Sequence, residues 1–342
     1  MVQSSYNRFH LEGSPLDSGT HLVIGLGLAG LAYIDPVVAS DATISTAVLI
    51  GTVLGSQAPD ADGLMRFKGN AAYIKNHRGL SHSLPALIIW SFLITFLLSL
   101  AFHGLPLLHV AMWVFIAVAF HVFTDLFNTY GTQAARPITE KWIGWNIIHI
   151  FDPFIFVAHL LAIILWAIGL GKPEHIFPVL YGVIALYYVI RTVYHYYLTK
   201  SLAVKDPLHQ SGDKYILIPT INSYVWHVVK IQATGSYVAG EFKNHQLKWI
   251  DSITCSSHPA VDISKKHPDI ASFLYFSSYA CAEVREQAWG FEVRWVDVRY
   301  RHRKQYPFVA VLLMDRDYKT IDSYVGWLSE SRIEKKLRID LY

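Results

Sequence analysis

Residues 84–124 contain no Asp, Glu, Lys or Arg. That run divides into two stretches of membrane length, because a helix crosses a bilayer with about 20 apolar residues. Residues 84–103 close on His103-Gly104. Residues 106–124 open on a proline, which the first turn of a helix tolerates. Residues 153–170 and 176–198 have the same character. The latter ends in Tyr187, Tyr188, Tyr194, Tyr196 and Tyr197, a belt suited to a lipid–water interface. Residues 21–34 and 43–55 are shorter and Gly-rich. They read as two close-packed or partly re-entrant helices, with Gly25, Gly27 and Gly30 permitting near backbone contact. The pattern predicts a mainly α, polytopic transmembrane helical bundle of four to six spans over residues 17–200.

After residue 200 the periodicity shortens. Residues 215–218, 223–232, 235–242, 246–254 and 308–314 read as strands. Phe291, Val293 and Trp295 alternate with polar neighbours, then the phase switches to Val296, Val298 and Tyr300, which implies a bulge. Residues 263–273 read as a helix and 333–342 as a final strand. A small cytoplasmic α+β or β-rich domain over 201–342 is therefore expected. Residues 1–16 are polar, with no apolar core of a signal peptide, and are expected to be a disordered leader.

Composition sharpens this division. Hydrophobic residues make up 53% of the 342, charged residues only 16%, and the mean hydropathy is +0.30. Ordinary soluble domains carry about 25% charge, so a soluble cytosolic enzyme and a disordered chain are both excluded. Of the 29 Lys and Arg and the 26 Asp and Glu, 35 lie in 201–342. A net charge of +3 gives no footprint for nucleic acid. The two cysteines, Cys255 and Cys281, are expected as reduced thiols. Arg299, Arg301, Arg303 and Lys304 form a basic cluster that reads as a solvated strand end or as a contact for anionic headgroups.

Lys and Arg concentrate on one set of connections: Arg66, Lys68, Lys75, Arg78, Arg136, Lys141 and Lys200, against Lys172 alone on the other. That bias places the first set, and the C-terminal domain, in the cytoplasm. His and Asp fall on the same side. His21 opens the first helix, Pro59-Asp60-Ala61-Asp62 follows the second, and His77-Arg78-Gly79-Leu80-Ser81-His82-Ser83 precedes the third. His121 and Asp125 close the fourth, while His149 and Asp152 precede the next. Imidazole and carboxylate are ordinary ligands of zinc, manganese and iron. His121 and Asp125 project from one helix side, Asp60 and Asp62 suit paired ligation, and Arg78 suits an anionic group. The candidate metal ligands are His21, Asp60, Asp62, His77, His82, His121 and Asp125, which exceed one tetrahedral site and allow two ions. Asp60, Arg78 and Asp125 are the candidate catalytic residues. His103, His109, His159, His175 and His195 stand apart from this His and Asp cluster.

The order Asp17-x-x-Thr20-His21, Pro59-Asp60-x-Asp62, His77-Arg78-Gly79-x-Ser81-His82-Ser83 and His121-x-x-x-Asp125 resembles the YdjM-like family of membrane-bound metal-dependent hydrolases over residues 17–200. Asp125-Leu126-Phe127-Asn128-Thr129-Tyr130-Gly131-Thr132 and the long C-terminal extension resemble the version found in Bacillus-type bacteria. The resemblance implies a bacterial multi-pass protein of the cytoplasmic membrane and a divalent-metal-dependent hydrolase. The order Asp62, His77, His121, Asp125 is also similar to zinc-dependent phospholipase C and related nucleases, although a later His-x-x-x-Glu and an N-terminal Trp ligand are lacking. That likeness implies phosphodiester or phospholipid substrates. Membrane lipids are the expected partner, with a protein partner for the C-terminal domain as a second expectation. The alternative is a non-catalytic membrane regulator with a structural metal site.

Overall fold

The computed structural model describes residues 15–301 and 305–328, with Ile333, Lys336 and Leu337 beyond them. The expected leader, but for its last two residues, lies outside the described residues, as do Arg303 and Lys304.

Helices dominate residues 15–205. They are α1 (Pro15–Leu31), α2 (Pro36–Ala39), α3 (Ala42–Gly55), α4 (Asn70–Asn76), α5 (Leu84–Ala101), α6 (Leu107–Asp125), α7 (Pro153–Ala167) and α8 (Pro173–Lys205). Several starts have a local cause. Proline stands in the first turn of α5, α7 and α8. The Asp41 carboxylate caps α3 by accepting from Thr43 N–H, and Asp152 caps α7 by accepting from Phe154 N–H. Among the described residues three helices, α5, α6 and α8, are long and apolar enough to cross a membrane; α1, α3 and α7 are apolar but shorter. Much of α5 stays uncovered by protein, with Ile88, Ile89, Phe92 and Leu100 exposed. Val110, Val114 and Val118 of α6 form the internal seam with Val48, Ile94 and Leu98.

The helix ends segregate into two levels. At one level Asp35, after α1, meets His109, in the first turn of α6. At the other, the start of α1 meets the end of α6, and His21 lies 3.5 Å from Asp125. α8 runs 33 residues, about 50 Å at 1.5 Å per residue. Its far end, Leu198 and Leu202, packs against Leu217, Trp226 and Phe242 of the first sheet.

Two four-stranded antiparallel sheets follow. The first runs in sequence order through β1 (Lys214–Pro219), β2 (Val225–Ile231), β3 (Tyr237–Lys243) and β4 (Gln246–Ile253). The second, also in sequence order, has β5 (Ala280–Gln287), β6 (Gly290–Asp297), β7 (Phe308–Asp315) and β8 (Thr320–Trp327). Between the sheets lie α9 (Pro259–Ser264) and α10 (Pro268–Phe276). α9 and α10 cover one face of the second sheet, while Ile333 and Leu337 pack on the other. The core under α10 also takes in Ile74 of α4, so the membrane-proximal helix and the second sheet share one apolar cluster.

Several expectations are corrected here. The single helix at 263–273 is two, divided before Pro268. β6 pairs with β7 in continuous register from Gly290 to Val296, so the phase switch there is no bulge. It reflects burial on both faces. Register shifts occur instead at Ala239/Gly240 and Leu313/Met314. The described residues of the supposed final strand, Ile333, Lys336 and Leu337, are helical. Cys255 and Cys281 are not free thiols but a disulfide, tying the segment after β4 to β5. Arg299 is neither solvated nor lipid-facing. It is buried against Asp297, with Nη2 2.7 Å from the carboxylate.

Candidate metal centre

Two turns and one helix end assemble the centre. The chain leaves α3 at Gly55, and Pro59 opens a 3-10 segment, Ala58–Lys68, carrying Asp60 and Asp62. After α4, Arg78 takes a left-handed φ of 58° and Gly79 follows at φ −92°, ψ −107°. A Cβ on Gly79 would stand 2.9 Å from the Asn76 carbonyl oxygen and 3.3 Å from the Gln133 side chain, so this turn closes only around glycine. It delivers His77, Ser81 and His82. The last turn of α6 contributes His121 and Asp125 from one face.

The side chains converge with their lone pairs inward. His121 donates from Nδ1 to the Ser56 carbonyl at 2.7 Å, leaving Nε2 as an acceptor. Ser81 donates its hydroxyl to Asp62, so it accepts from His82 Nδ1–H at 2.9 Å and fixes the same tautomer there. The two Nε2 atoms face each other at 3.3 Å. Opposite them stand Asp60 Oδ1 and Asp125 Oδ2, both buried without a hydrogen-bond partner. Asp60 Oδ1 lies 3.6 Å from His82 and 3.7 Å from His121; Asp125 Oδ2 lies 3.4 Å and 3.5 Å from the same two atoms. A tetrahedral ion with bonds of about 2.0–2.2 Å has ligand–ligand edges of roughly 3.3–3.6 Å. Asp60, His82, His121 and Asp125 thus fit a divalent cation.

Asp60 also belongs to a second group, with Asp62 and His77. His77 Nδ1 lies 2.7 Å from Asp62 Oδ1, while Asp62 Oδ2 accepts from the Arg78 N–H at 2.8 Å. Asp60 stands where a carboxylate would bridge two ions. The other oxygen of Asp125 is turned away from the centre. Its Oδ1 meets Arg78 Nη2 at 3.2 Å and Asn128 Nδ2 at 3.2 Å.

The electrostatics agree with this geometry. Burial disfavours the Asp60 carboxylate, yet His121, His82 and Arg78 outweigh it and hold the carboxyl well below its usual range. Burial likewise opposes a charged His82, but Asp125 and Asp60 push that imidazole up to about 9. A proton there does in part what a cation would do.

Of the residues expected to carry the site, Asp60, Asp62, His77, His82, His121 and Asp125 fall into the two groups. His21 belongs to neither; it stacks on His121 with ring centroids 3.9 Å apart. Arg78 is buried against Asp125, with its guanidinium 5.8 Å from the Tyr130 ring centre. His149 and Asp152 line a narrow cleft beside His21 and Asp125. Asp152 also accepts a hydrogen bond from the Tyr187 hydroxyl at 2.8 Å. His159 is buried, donating from Nδ1 to the Ile155 carbonyl at 2.7 Å. His109 does have a carboxylate partner, Asp35 at 2.7 Å, which sequence proximity does not reveal. Ser56, Ser81 and Asn128 are supporting residues that sequence reasoning missed. Ser81 and Asn128 lie inside the quoted motifs, whereas Ser56 acts through its backbone and leaves no signal.

Two family patterns match parts of the chain. The pattern of the YdjM inner membrane protein family matches residues 16–198, which hold the centre and the apolar helices. That of the YfhP C-terminal alpha/beta plait domain matches residues 259–337, which hold α9, α10 and the second sheet. The uncharacterized protein YfhP of Bacillus subtilis (strain 168) is 39% identical over 328 residues, covering 95% of this chain and 99% of that protein. No solved structure matches. The chain belongs to the YdjM inner membrane protein family.

Proposed function

We propose that the protein is an integral-membrane, metal-dependent hydrolase acting on phosphodiester or phospholipid substrates at the cytoplasmic membrane face. The observation that carries this reading is the convergence of two imidazole Nε2 acceptors and two unpartnered carboxylate oxygens at 3.3–3.7 Å. A set of two His and two Asp suits zinc, with manganese or iron as alternatives. Such an ion supplies Lewis-acid polarisation and a nucleophile at neutral pH.

The chain's own groups divide the remaining work. His82, His121 and Asp125 would hold one ion together with Asp60, and Asp62 and His77 are the groups that would hold a second. Asp60 belongs to both groups and is partly open, its side chain 19% exposed. It is therefore placed to accept a proton from an attacking water. Arg78, paired with Asp125, sets a positive charge beside the centre, where an anionic group would be held. Lys and Arg at the helix ends near the centre support the cytoplasmic orientation. All six apolar helices then cross or enter the bilayer, the short ones packed against the long.

The first test is metal analysis of purified protein. We expect loss of bound metal in Asp125→Ala and partial loss in His77→Ala; unchanged content in both overturns the reading. A screen with zinc and manganese against phosphodiester, phospholipid and peptide substrates then tests hydrolysis. A second reading, a non-catalytic regulator with a structural ion, draws on the burial of His82, His121 and Asp125. It predicts full metal content with no turnover of any substrate. Orientation is tested by reducing the single disulfide in intact cells and applying a membrane-impermeant maleimide. Labelling without lysis overturns the cytoplasmic placement.

A further inference from the structure

A second open volume lies outside the metal centre. A groove of about 590 Å³ runs along α8, within the range of about 300–1,000 Å³ common to small-molecule sites. One wall is apolar: Phe127, Trp145 and Ile147, from the segment after Asp125. The Phe127 and Trp145 rings meet edge to face, 4.7 Å apart. The other wall is one face of α8, where Thr192, Tyr196 and Thr199 recur at helical spacing. Lys200 stands at the groove's end, its ammonium 4.3 Å from the Tyr196 ring centre. Thr199 Oγ1 is buried in this wall with no hydrogen-bond partner.

Depth and chemistry together select the occupant. Counting from Ile176, a hydrocarbon layer about 30 Å thick takes up about 20 residues, which brings Tyr196 to its edge. Trp145 and Tyr196, 42% and 51% exposed, are the amphipathic aromatics that favour this depth. Lys200 lies one turn beyond, at headgroup level. Outside the groove α8 presents Val183, Leu186, Val189 and Val193, all exposed, so the groove continues a lipid-facing surface. The groove joins the apolar Phe127–Trp145–Ile147 wall to a polar side of Thr192, His195, Tyr196 and Thr199 that ends in a cation, an arrangement that suits the acyl chain and anionic headgroup of a lipid.

We infer that this groove binds one anionic phospholipid, with an acyl chain between α8 and the Phe127–Trp145 wall and its phosphate at Lys200. The inference stands whether or not the metal centre hydrolyses lipid.

The test uses the full chain in nanodiscs. Brominated phosphatidylglycerol and brominated phosphatidylcholine are compared as quenchers of the Trp145 emission, obtained as wild type minus Trp145→Phe. We expect quenching with about a fivefold preference for the anionic lipid, the factor one lysine near an anionic headgroup provides. Lys200→Glu should abolish that preference, and Thr199→Phe, which fills the groove, should abolish the quenching. Native mass spectrometry offers a check independent of fluorescence: wild type should retain phosphatidylglycerol that Thr199→Phe loses, at equal metal content. Equal quenching by both lipids in wild type, or undiminished lipid retention in Thr199→Phe, overturns the inference. So does protection of Trp145 by dimerisation in lipid-free detergent.

Discussion

Arg299 donates from Nη1 to the carbonyl oxygen of Thr129 across 3.0 Å, joining the second sheet to the loop that leaves Asp125. The guanidinium is held in turn by Asp297, which also accepts from the Ser277 hydroxyl at 2.6 Å. Beside it the Tyr130 and Tyr300 rings stack with centroids 5.0 Å apart. The C-terminal domain therefore buttresses the segment that carries Asn128 and Tyr130 toward the metal ligands.

Replacing Arg299 by Met leaves the Asp297 carboxylate buried without its cation. Breaking a buried pair in this way costs about 3–5 kcal/mol. We expect a lower melting temperature for the detergent-solubilised protein and faster loss of metal on dialysis. The double variant Arg299→Met with Asp297→Leu should recover much of the stability. An unchanged melting temperature in the single variant counts against the strut.

Ser81 holds the His82 tautomer and contributes no ligand atom to either group. Ser81→Ala should weaken metal binding about 10- to 100-fold, the usual effect of losing a ligand's supporting hydrogen bond. The stoichiometry at saturation should be unchanged. Competition against a chromogenic chelator measures both. Identical affinities for variant and wild type would show that His82 is oriented without it.

Gly25 governs the centre from inside the bundle. A Cβ there would meet Ser56 Oγ at 2.3 Å and the Thr52 carbonyl oxygen at 3.0 Å. Ser56 supplies the carbonyl that orients His121. Gly25→Val should therefore lower metal affinity without touching a ligand, and Gly25→Ala should do so less. Adding Ser56→Ala to Gly25→Ala removes the tightest contact and should restore part of the loss.

At the junction of α8 with the first sheet, Asp206 accepts from Lys230 at 2.9 Å, Trp249 at 2.9 Å and Tyr215 at 2.8 Å. Burial opposes the carboxylate, but these donors hold its carboxyl down to about 2. A carboxyl lowered on folding stabilises the native state fully above its ordinary value of 3.8, and that contribution fades as the pH falls toward 2. Acid titration followed by tryptophan emission should show unfolding of this junction in that window. Asp206→Asn should be less stable at neutral pH, with a shallower acid limb. A wild-type acid profile in the variant overturns the assignment.

The helices and the six clustered ligands were legible because a bilayer demands long apolar runs, against which Asp60, His82 or Asp125 stands out. All four strands of the first sheet are visible as short apolar stretches. In the second sheet, the central strands β6 and β7 were legible and the edge strands β5 and β8 were not. The sequences Ala-Cys-Ala-Glu-Val-Arg-Glu-Gln and Thr-Ile-Asp-Ser-Tyr-Val-Gly-Trp are polar because an edge strand faces water along much of its length. Pairings between distant residues left no trace in the sequence either. His109 finds Asp35 from 74 positions away, and Arg299 reaches Thr129 from 170. Arg299, read locally, looks like surface charge; its burial depends on a partner brought in by the fold.

The helix α8 continues from Pro173 to Lys205 with its only internal proline, Pro178, near the start. Beyond Pro178 it is a rod of about 40 Å whose far end packs on the first sheet. The disulfide after β4 ties that sheet to β5, and Arg299 ties the second sheet to the loop beside Asp125. The far end of α8 and the segment next to Asp125 are thereby joined by one continuous path of packed, covalent and hydrogen-bonded contacts.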